Sequence, residues 1–458
     1  MKFRFLVGVV LLLVCAGCSS DGGSLPAPPG EIVSEKIGFT EAAEQDTSSG
    51  VTCDIMWSMQ LPTGGAGTHP ALGQGGGVHV TGSGKLYTLR ADKTGIFDWV
   101  WPDDDTQGAV DPIDAQLYTP VVGSSGTIYM GTGDERLLAV NKGGEGRWVF
   151  ELDGQFSGAP TVYKGADNKQ KVFVVTDVGS LYCIKDLGQK NPHPIWKKEG
   201  EQGIANPKPG EQPIIGPKIG GGNEKETIWV VSLSGMQCFA ADGFPMWTYE
   251  SPEGYTTTSN AVMDGDGNAL FVAGKDPNGD YFHEHYLMKV DEDGEDAEGS
   301  NVLIDLPGIV TEIVSLSIGN NDRLLMGTSN AGLIIFNLKS GTVYKHMVAD
   351  EENFLEVAQP VQAKNGFIYM GVFPTWLYVL GMDGEVLCRV DLDEFDPSIK
   401  AQLQPSSPLI LSDGMAIFHS GQWVTAIKAS DSGPSESPWP RFGGNDRNSG
   451  NIHDSVEL

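Results

Sequence analysis

Short apolar runs recur along the chain at a nearly constant spacing, and each is followed by a turn and a second short apolar run. The second runs are 44 to 55 residues apart, about 48 on average, and no helical period of 3.6 residues intervenes. They begin near Leu86, Leu137, Leu181, Met236, Leu287, Leu333, Leu377 and Val424. Four short strands in each 48 residues are typical of a propeller blade. The pattern therefore predicts an all-β fold, an eight-bladed β-propeller of four-stranded antiparallel blades.

A large aromatic residue marks the predicted fourth strand of most units. These markers are Trp99, Trp148, Trp196, Trp247 and, in the sixth unit, Tyr344. The eighth unit has no evident fourth strand, whereas residues 55–60 precede the first unit and contain Trp57. We therefore expect this N-terminal strand to complete the last blade, which would close the ring and remove exposed sheet edges.

Two units resemble the repeat of the PQQ-like propeller superfamily, whose usual pattern is LYALDAKTGKxxW. They are residues 86–99 (LYTLRADKTGIFDW) and residues 335–344 (IFNLKSGTVY). Residues 439–450 (WPRFGGNDRNSG) resemble a second landmark of such proteins, a WPxFRGxxxxTG run beside the ring closure. The resemblance covers residues 51 to about 451 and implies the fold, but a fold hosts many functions.

The N-terminus resembles a bacterial lipoprotein signal. Lys2 and Arg4 precede an apolar stretch, and two small residues precede Cys18. This implies a signal peptide at 1–17, a lipid anchor on Cys18 and a location in the bacterial cell envelope, at the outer membrane. An ordinary secretory peptide is the alternative. Residues 18–50 are rich in Gly, Ser and Pro and predict a flexible linker, residues 51–451 the propeller and residues 452–458 a tail.

The chain is strongly acidic, with 60 acidic and 30 basic side chains among 458 residues and a formal net charge of −30. Binding to nucleic acid depends on Lys and Arg displacing counterions, so nucleic acid is excluded as a partner. Acidity instead favours cations or basic partners. Apolar residues make up 40% of the chain, which is enough for a large core.

Quinoprotein dehydrogenases of the resembled superfamily hold their cofactor on the ring axis, under a disulfide between adjacent cysteines, and coordinate calcium beside it. This sequence has no adjacent cysteines and no C-x-x-C-H haem run. None of the quinone-site residues can be matched. We therefore predict no enzyme activity, no catalytic residue and no cofactor-binding residue.

The remaining cysteines fit structural roles. Cys183 and Cys238 occupy the position of Ala139 in their units, where a small buried side chain is expected. Cys388 falls where other units carry the marker tryptophan. Pairing of Cys183 with Cys238, or of Cys53 with Cys388, stays open at this point.

Candidate metal ligands are sparse. Residues 264–268 (DGDGN) and 276–280 (DPNGD) alternate oxygen-bearing side chains, as calcium loops do, and His283 and His285 could lie on one side of a strand. Neither loop has the Gly and Glu of an EF-hand. We interpret all three as surface turns and predict no metal site, with calcium as the alternative.

A binding face can also be predicted. In a propeller, the second-to-third-strand connections and the blade-to-blade connections open at one end of the ring, here called the partner face. Loops on rigid scaffolds often carry recognition. The candidate residues are Asp103, Asp104, Asp105, Asp111, Tyr281, Phe282, Trp376, Asp393 and Glu394. An acidic rim around aromatics would suit a basic or amphipathic protein segment.

These observations lead to one functional prediction and two alternatives. The prediction is a non-catalytic binding scaffold tethered to the envelope, similar in architecture to the propeller lipoproteins of the BAM complex, which implies a role in outer-membrane protein assembly. The first alternative is a periplasmic dehydrogenase or sensor that depends on PQQ or calcium. The second is a surface lipoprotein that binds carbohydrate.

Overall fold

The computed structural model describes residues 50–451 except 63–67, 83, 91–94, 103–115, 166, 189–191, 220–224, 277–281, 283, 305–311, 330–331, 348–356, 374–375 and 393–405. The described residues form eight antiparallel sheets, which confirms the all-β eight-bladed propeller. No helix within these ranges is both long and apolar enough to cross a membrane.

The chain enters the ring with β1 (Asp54–Gln60), which belongs to blade eight. Blade one contains β2 (Ala71–Leu72), β3 (Val78–Thr81), β4 (Leu86–Leu89) and β5 (Phe97–Trp101). Blade two contains β6 (Val121–Val122), β7 (Ile128–Gly131), β8 (Arg136–Val140) and β9 (Gly146–Glu151). Blade three contains β10 (Thr161–Lys164), β11 (Gln170–Val175), β12 (Leu181–Asp186) and β13 (His193–Lys198). Blade four contains β14 (Ile214–Ile219), β15 (Lys225–Ser232), β16 (Gly235–Ala240) and β17 (Pro245–Glu250).

Blade five contains β18 (Tyr255–Thr257), β19 (Val262–Met263), β20 (Ala269–Lys275), β21 (Glu284–Val290) and β22 (Val302–Leu303). Blade six contains β23 (Ile313–Ile318), β24 (Arg323–Thr328), β25 (Leu333–Asn337) and β26 (Thr342–Met347). Blade seven contains β27 (Val361–Gln362), β28 (Ile368–Val372), β29 (Trp376–Leu380) and β30 (Val386–Asp391). Blade eight adds β31 (Leu409–Ile410), β32 (Met415–Ser420) and β33 (Trp423–Lys428). In the described part of the chain, short 3-10 turns cover Gly200–Gln202, Asn320–Asp322 and Phe442–Gly444.

The ring is closed as the sequence predicts. Strand β1 pairs antiparallel with β33, from Asp54 opposite Lys428 to Gln60 opposite Trp423. The N-terminal strand therefore supplies the outermost strand of a sheet whose other three strands come from the C-terminal part of the chain. Because the last blade contains both ends of the ring, neither end is left as an unpaired edge.

Blade five departs from the four-strand pattern. Its inner strand is interrupted, so that β18 and β19 both pair with β20. At the interruption, the Val272 N–H donates to Ser259 Oγ at 2.8 Å, and the Thr258 N–H donates to the Val272 carbonyl at 2.9 Å. These two bonds replace the missing ladder bonds. The sheet therefore has five strands because its inner strand is broken into β18 and β19.

The hydrophobic core lies between the faces of neighbouring blades. One cluster joins Tyr129 and Ala139 of blade two to Val172 and Ile184 of blade three, and all four are at most 1% exposed. Comparable clusters pack the other blades against one another. Since a blade is apolar on both faces, only packing in a ring removes that surface from water.

The marker tryptophans lie in one register, here called the tryptophan row. Each stands opposite a small third-strand residue, as Trp148 does opposite Ala139 and Trp196 opposite Cys183. Blade seven places Cys388 in this row, opposite Val379. In blade six Tyr344 lies in the fourth strand, as predicted, but one residue before this row. The bulge between Ile335 and Phe336 leaves residue 344 without a ladder partner and puts Lys345 opposite Ile335.

Candidate functional site

The predicted partner face is described only in part. The structure describes Phe282 and Trp376; the other candidates lie outside the described residues, namely Asp103, Asp104, Asp105, Asp111, Tyr281, Asp393 and Glu394. Phe282 packs beside Gly274 and 6.3 Å from the ring centroid of His285. Trp376 begins β29, and its ring is covered by the Arg389 guanidinium at 4.6 Å. The two lie on blades five and seven, so blade six stands between them.

Three of the described aromatic rings at this end of the ring are paired with cations. Besides Arg389 over Trp376, Lys197 lies 5.3 Å from the Tyr182 ring, and Lys275 lies 5.3 Å from the Tyr255 ring. Lys197 also forms ion pairs with Asp153, at 2.8 Å, and with Glu199, and these hydrogen bonds raise its pKa. These aromatic faces are therefore engaged within the molecule.

Two aliphatic side chains are instead turned outward on this face. Val178, in the second-to-third-strand turn of blade three, is 61% exposed, and Leu233, in the same turn of blade four, is 37% exposed. The connection between these blades supports both turns, because the Ile204 N–H donates to the Gly179 carbonyl and the Leu233 N–H to the Asn206 carbonyl. Sequence reasoning missed this pair because isolated surface aliphatics carry no motif.

The connection itself is anchored by a buried ion pair. Lys208 Nζ lies 3.0 Å from Glu211 Oε1, and Glu211 is 6% exposed. Burial raises the pKa of Glu211, while the charge of Lys208 opposes that shift. The Ser157 hydroxyl also donates to the Lys208 carbonyl at 2.6 Å. This part of the partner face is therefore built on a fixed support.

The C-terminal segment, residues 433–451, runs across the ring axis. It bonds through its carbonyls or N–H groups to the inner strands of six blades. The backbone bonds join Lys364 to Gly433, Ser435 to Gln362, Ile318 to Trp439, Leu72 to Asp446, Val122 to Arg447, Val162 to Ser449 and Ile215 to Gly450. The segment that resembles the WPxFRGxxxxTG landmark is thus an axial element that ties blades together.

Arg441 is the centre of this axial segment and is fully buried. Its guanidinium donates to the Pro70 carbonyl at 2.8 Å, the Pro408 carbonyl at 3.2 Å and Asn448 Oδ1 at 2.9 Å. Burial lowers its pKa to about 10, so it remains charged at neutral pH. Asn448 extends the network by donating to the Pro120 carbonyl at 3.1 Å. One side chain therefore links blades one and eight to the C-terminal segment.

Two histidines beside this network are held neutral. The His69 ring stacks on Phe442 at 4.0 Å, and its Nδ1 accepts from the Ser407 N–H at 3.0 Å. His419 Nδ1 accepts from the Thr68 N–H, and its Nε2 donates to the Gly421 carbonyl. Burial lowers the pKa of His69 to about 3, with the Arg441 charge as a second cause, and that of His419 to about 4.

The axis does not fit a quinone cofactor. Quinoproteins of the resembled superfamily place the quinone on the axis, where Arg441 and Asn448 are fully buried in this chain. The Arg441 guanidinium is already engaged there, because it donates to the carbonyls of Pro70 and Pro408. We derive no redox chemistry at this position.

The candidate calcium loop at residues 264–268 is an ordinary turn. Asp264 Oδ1 accepts from the N–H groups of Asp266 and Asn268 at 3.0 and 2.9 Å, and Oδ2 lies 3.1 Å from Lys289 Nζ. Its carboxylate is therefore already engaged. Residues 277–280 of the second loop and His283 lie outside the described residues, while His285 is buried in β21. Within the described ranges, no three His, Cys, Asp or Glu side chains are grouped as metal ligands.

The structure decides between the cysteine pairings. Cys53 and Cys388 form a disulfide with Cα atoms 5.7 Å apart, whereas Cys183 and Cys238 are free and buried. Burial raises the pKa of the Cys183 thiol to about 12 and also raises that of Cys238. Both thiols are therefore protonated and unreactive at neutral pH. Cys18 lies outside the described residues.

A groove of about 1010 Å³ opens on the opposite end of the ring, over blades five to seven. Its walls include the first-to-second-strand turns of these blades and the turn at Lys339–Gly341. In blade five the pairing of Leu287 with Val302, continued by two residues, brings Ser300 opposite Lys289, which is the position of the tryptophan row. The Ser300 Oγ accepts from the Lys289 N–H at 3.0 Å. Sequence reasoning missed the groove, although the missing marker in unit five was a visible signal.

Comparisons with known proteins agree with this architecture. The family model described as outer membrane protein assembly factor BamB matches residues 48–216 and 100–275. BamB from Moraxella catarrhalis superposes with a TM-score of 0.58 at 14% identity, over 82% of this chain and all of that one. The computationally designed Ika8 protein gives 0.55 at 12% identity, over 81% of this chain and all of its own. No curated protein sequence matches this chain significantly.

The structural likenesses, at such low identity, establish the fold alone. The family-model match covers residues 48–275, which contain blades one to four and the inner strands of blade five. The chain is therefore an eight-bladed β-propeller that matches this family model over about its first half and resembles BamB in architecture.

Proposed function

We propose that this protein is a non-catalytic scaffold of the bacterial cell envelope that binds other proteins in outer-membrane protein assembly. The observation that carries the proposal is the axial segment. Because residues 433–451 bond to the inner strands of six blades, the axis on which quinoproteins hold their cofactor is taken by the chain itself. The ends of the ring are then the surfaces left for binding.

The partner face is the end of the ring that we assign to this role. Val178 and Leu233 offer apolar contact on adjacent blades, over a connection fixed by the buried Lys208–Glu211 pair. The chain's excess of acidic residues favours a basic or amphipathic segment as the occupant. The family-model match to an outer-membrane assembly factor supports the assembly role.

Membrane tethering through Cys18 belongs to the same proposal. A lipid on this residue would hold the propeller beside the outer membrane while residues 19–50 act as a linker. Metabolic labelling with a fatty-acid analogue tests it: the native chain should be labelled and Cys18→Ala should not. Absence of label on the native chain would contradict the anchor.

Site-specific photo-cross-linking in cells tests the scaffold role. A photoreactive amino acid at position 178 or 233 should capture components of the barrel-assembly machinery. Position 244 is the matched control, since Phe244 is 65% exposed but lies in a third-to-fourth-strand turn at the opposite end. If barrel-assembly components are absent from the products at 178 and 233, the assembly role is wrong. Dye reduction after adding PQQ and calcium would favour a dehydrogenase instead.

A further inference from the structure

The tryptophan row packs neighbouring blades through a repeated contact. Four of its five indoles lie over the glycine of the third-to-fourth-strand turn in the next blade, and at the interface of blades two and three Arg147 is the group nearest to Gly188. The atoms nearest to an ideal Cβ on Gly95, Gly144, Gly243 and Gly294 belong to Trp57, Trp99, Trp196 and Trp247, at 2.6 to 3.0 Å. All four glycines have positive φ, from 70° to 91°. The indole therefore rests directly on the backbone of a left-handed turn.

This contact is missing between blades five and six. The corresponding turn has Gly341 with φ of 65°, so the backbone surface that other blades cover with indole is present. The nearest atom to an ideal Cβ there is Val302 Cγ1 at 3.8 Å, because Ser300 occupies the row in blade five. In blades six and seven the row holds Lys345 and Cys388, so three successive blades lack the indole.

The groove lies where these indoles are absent. Gly341 and Val302 line it together with the apolar side chains of Phe336, Leu338 and Met382. Its charged lining comprises five acidic residues, Asp264, Asp266, Glu298, Asp322 and Glu436, and three lysines, Lys289, Lys339 and Lys364. A volume of about 1010 Å³ exceeds one indole and admits the flanking residues of a peptide as well.

We propose that this groove binds an extended peptide segment of a partner protein through a tryptophan side chain, which stacks on the Ser340–Gly341 turn. The rest of the molecule shows which group covers such a turn, since indoles do so at four other blade interfaces. The acidic excess of the lining favours a segment with basic residues beside the tryptophan. This site is at the opposite end from the partner face and does not depend on the proposed function.

Saturation-transfer NMR with N-acetyl-tryptophanamide tests the site on the full chain. The indole protons should receive saturation from the native protein, and N-acetyl-alaninamide should receive none. Ser300→Trp should supply the missing indole from within and weaken the signal by roughly fivefold or more while keeping or raising the melting temperature. Ser300→Ala is the matched control, and it leaves the groove open and the signal unchanged.

A second variant keeps the test decisive if Ser300→Trp fails to fold. Val302→Glu places a carboxylate on the apolar wall next to Gly341 and should also abolish saturation transfer. Absence of saturation transfer to N-acetyl-tryptophanamide in the native chain would overturn the proposal. So would an undiminished signal in a folded Ser300→Trp or Val302→Glu protein.

Discussion

Cys388 replaces the marker tryptophan of blade seven and forms a disulfide with Cys53, the residue before β1. Blades one, three, four and eight stack an indole on the third-to-fourth-strand turn of the next blade. Blade eight has no such turn, because β33 and β1 come from opposite ends of the ring. The disulfide therefore joins the N-terminal strand to blade seven. This is the interface at which an indole of blade seven would find no third-to-fourth-strand turn in blade eight.

Loss of this bond should destabilise the closed ring. We expect the double variant Cys53→Ala/Cys388→Ala to lose about 2–4 kcal/mol of unfolding free energy, since the closed loop spans 335 residues. Denaturant unfolding with and without reductant measures it. Cys183→Ala is the control, as it removes a thiol that forms no disulfide. If reductant lowers the unfolding free energy of the double variant as much as that of the native chain, loss of the disulfide does not explain the effect of reductant.

The packing of indole on glycine gives a second prediction. Gly243 has φ of 84°, and a Cβ there would lie 2.8 Å from the Trp196 ring, so Gly243→Ala adds overpacking to backbone strain. Gly210 has φ of 83° with open space around it, so Gly210→Ala carries the strain alone. We expect Gly243→Ala to cost about 1–3 kcal/mol more than Gly210→Ala in chemical denaturation. Equal losses would mean that the indole does not rest on the turn.

The sequence predicted the ring and its closure because both depend on repetition. Eight similar units and one displaced tryptophan at position 57 specify the topology, and the structure follows them. The repeat predicts the features that all units share, but it does not predict how one unit differs from another. In blade six the aromatic Tyr344 lies one residue before the row, which Lys345 occupies, and the interrupted inner strand of blade five depends on a bond from the Val272 N–H to the Ser259 side chain.

The sites were less predictable for a related reason. Arg441 lies in a recognisable segment, but nothing local to it indicates that its partners are carbonyls of Pro70 and Pro408, hundreds or tens of residues away. The groove lies where blade five has no tryptophan in the row. That absence can be recognised only when the structure shows Ser300, and not a tryptophan, beside Lys289. A repeat pattern therefore does not predict the contacts that form only when the ring closes.

Arg441 should be among the residues whose loss is most destabilising. Arg441→Met keeps the volume but leaves the carbonyls of Pro70 and Pro408 and the Asn448 side chain without this donor. We expect a loss of about 3–5 kcal/mol. Arg389→Met is the control, because among the described residues that guanidinium lies over the Trp376 ring, and its loss should cost about 0.5–1 kcal/mol. Limited proteolysis should then cut Arg441→Met within residues 430–451. If this variant resists proteolysis as well as the native chain does, Arg441 does not hold the C-terminal segment in the ring.

The buried histidines predict how stability depends on pH. Burial lowers the pKa of His419 from 6.5 to about 4, so between these values the unfolded chain binds more protons than the folded one. The free energy of unfolding should therefore fall as pH is lowered from about 6.5 to 4, and His419 alone accounts for up to about 3 kcal/mol of that loss. His69 and His79, with pKa values lowered to about 3 and 4, act in the same direction.

Comparison with His419→Gln isolates this effect. Glutamine can still accept from the Thr68 N–H and donate to the Gly421 carbonyl, but it does not titrate. Glu211 and Asp446 act in the opposite sense, since burial raises their pKa and the folded state takes up their protons first. These carboxyl contributions are common to both proteins and cancel in the difference. The free energy of unfolding of His419→Gln, relative to that of the native chain, should therefore rise as pH falls from 7 to 4. Urea titrations across that range measure this difference. A difference that stays constant would show that His419 is not held neutral by burial.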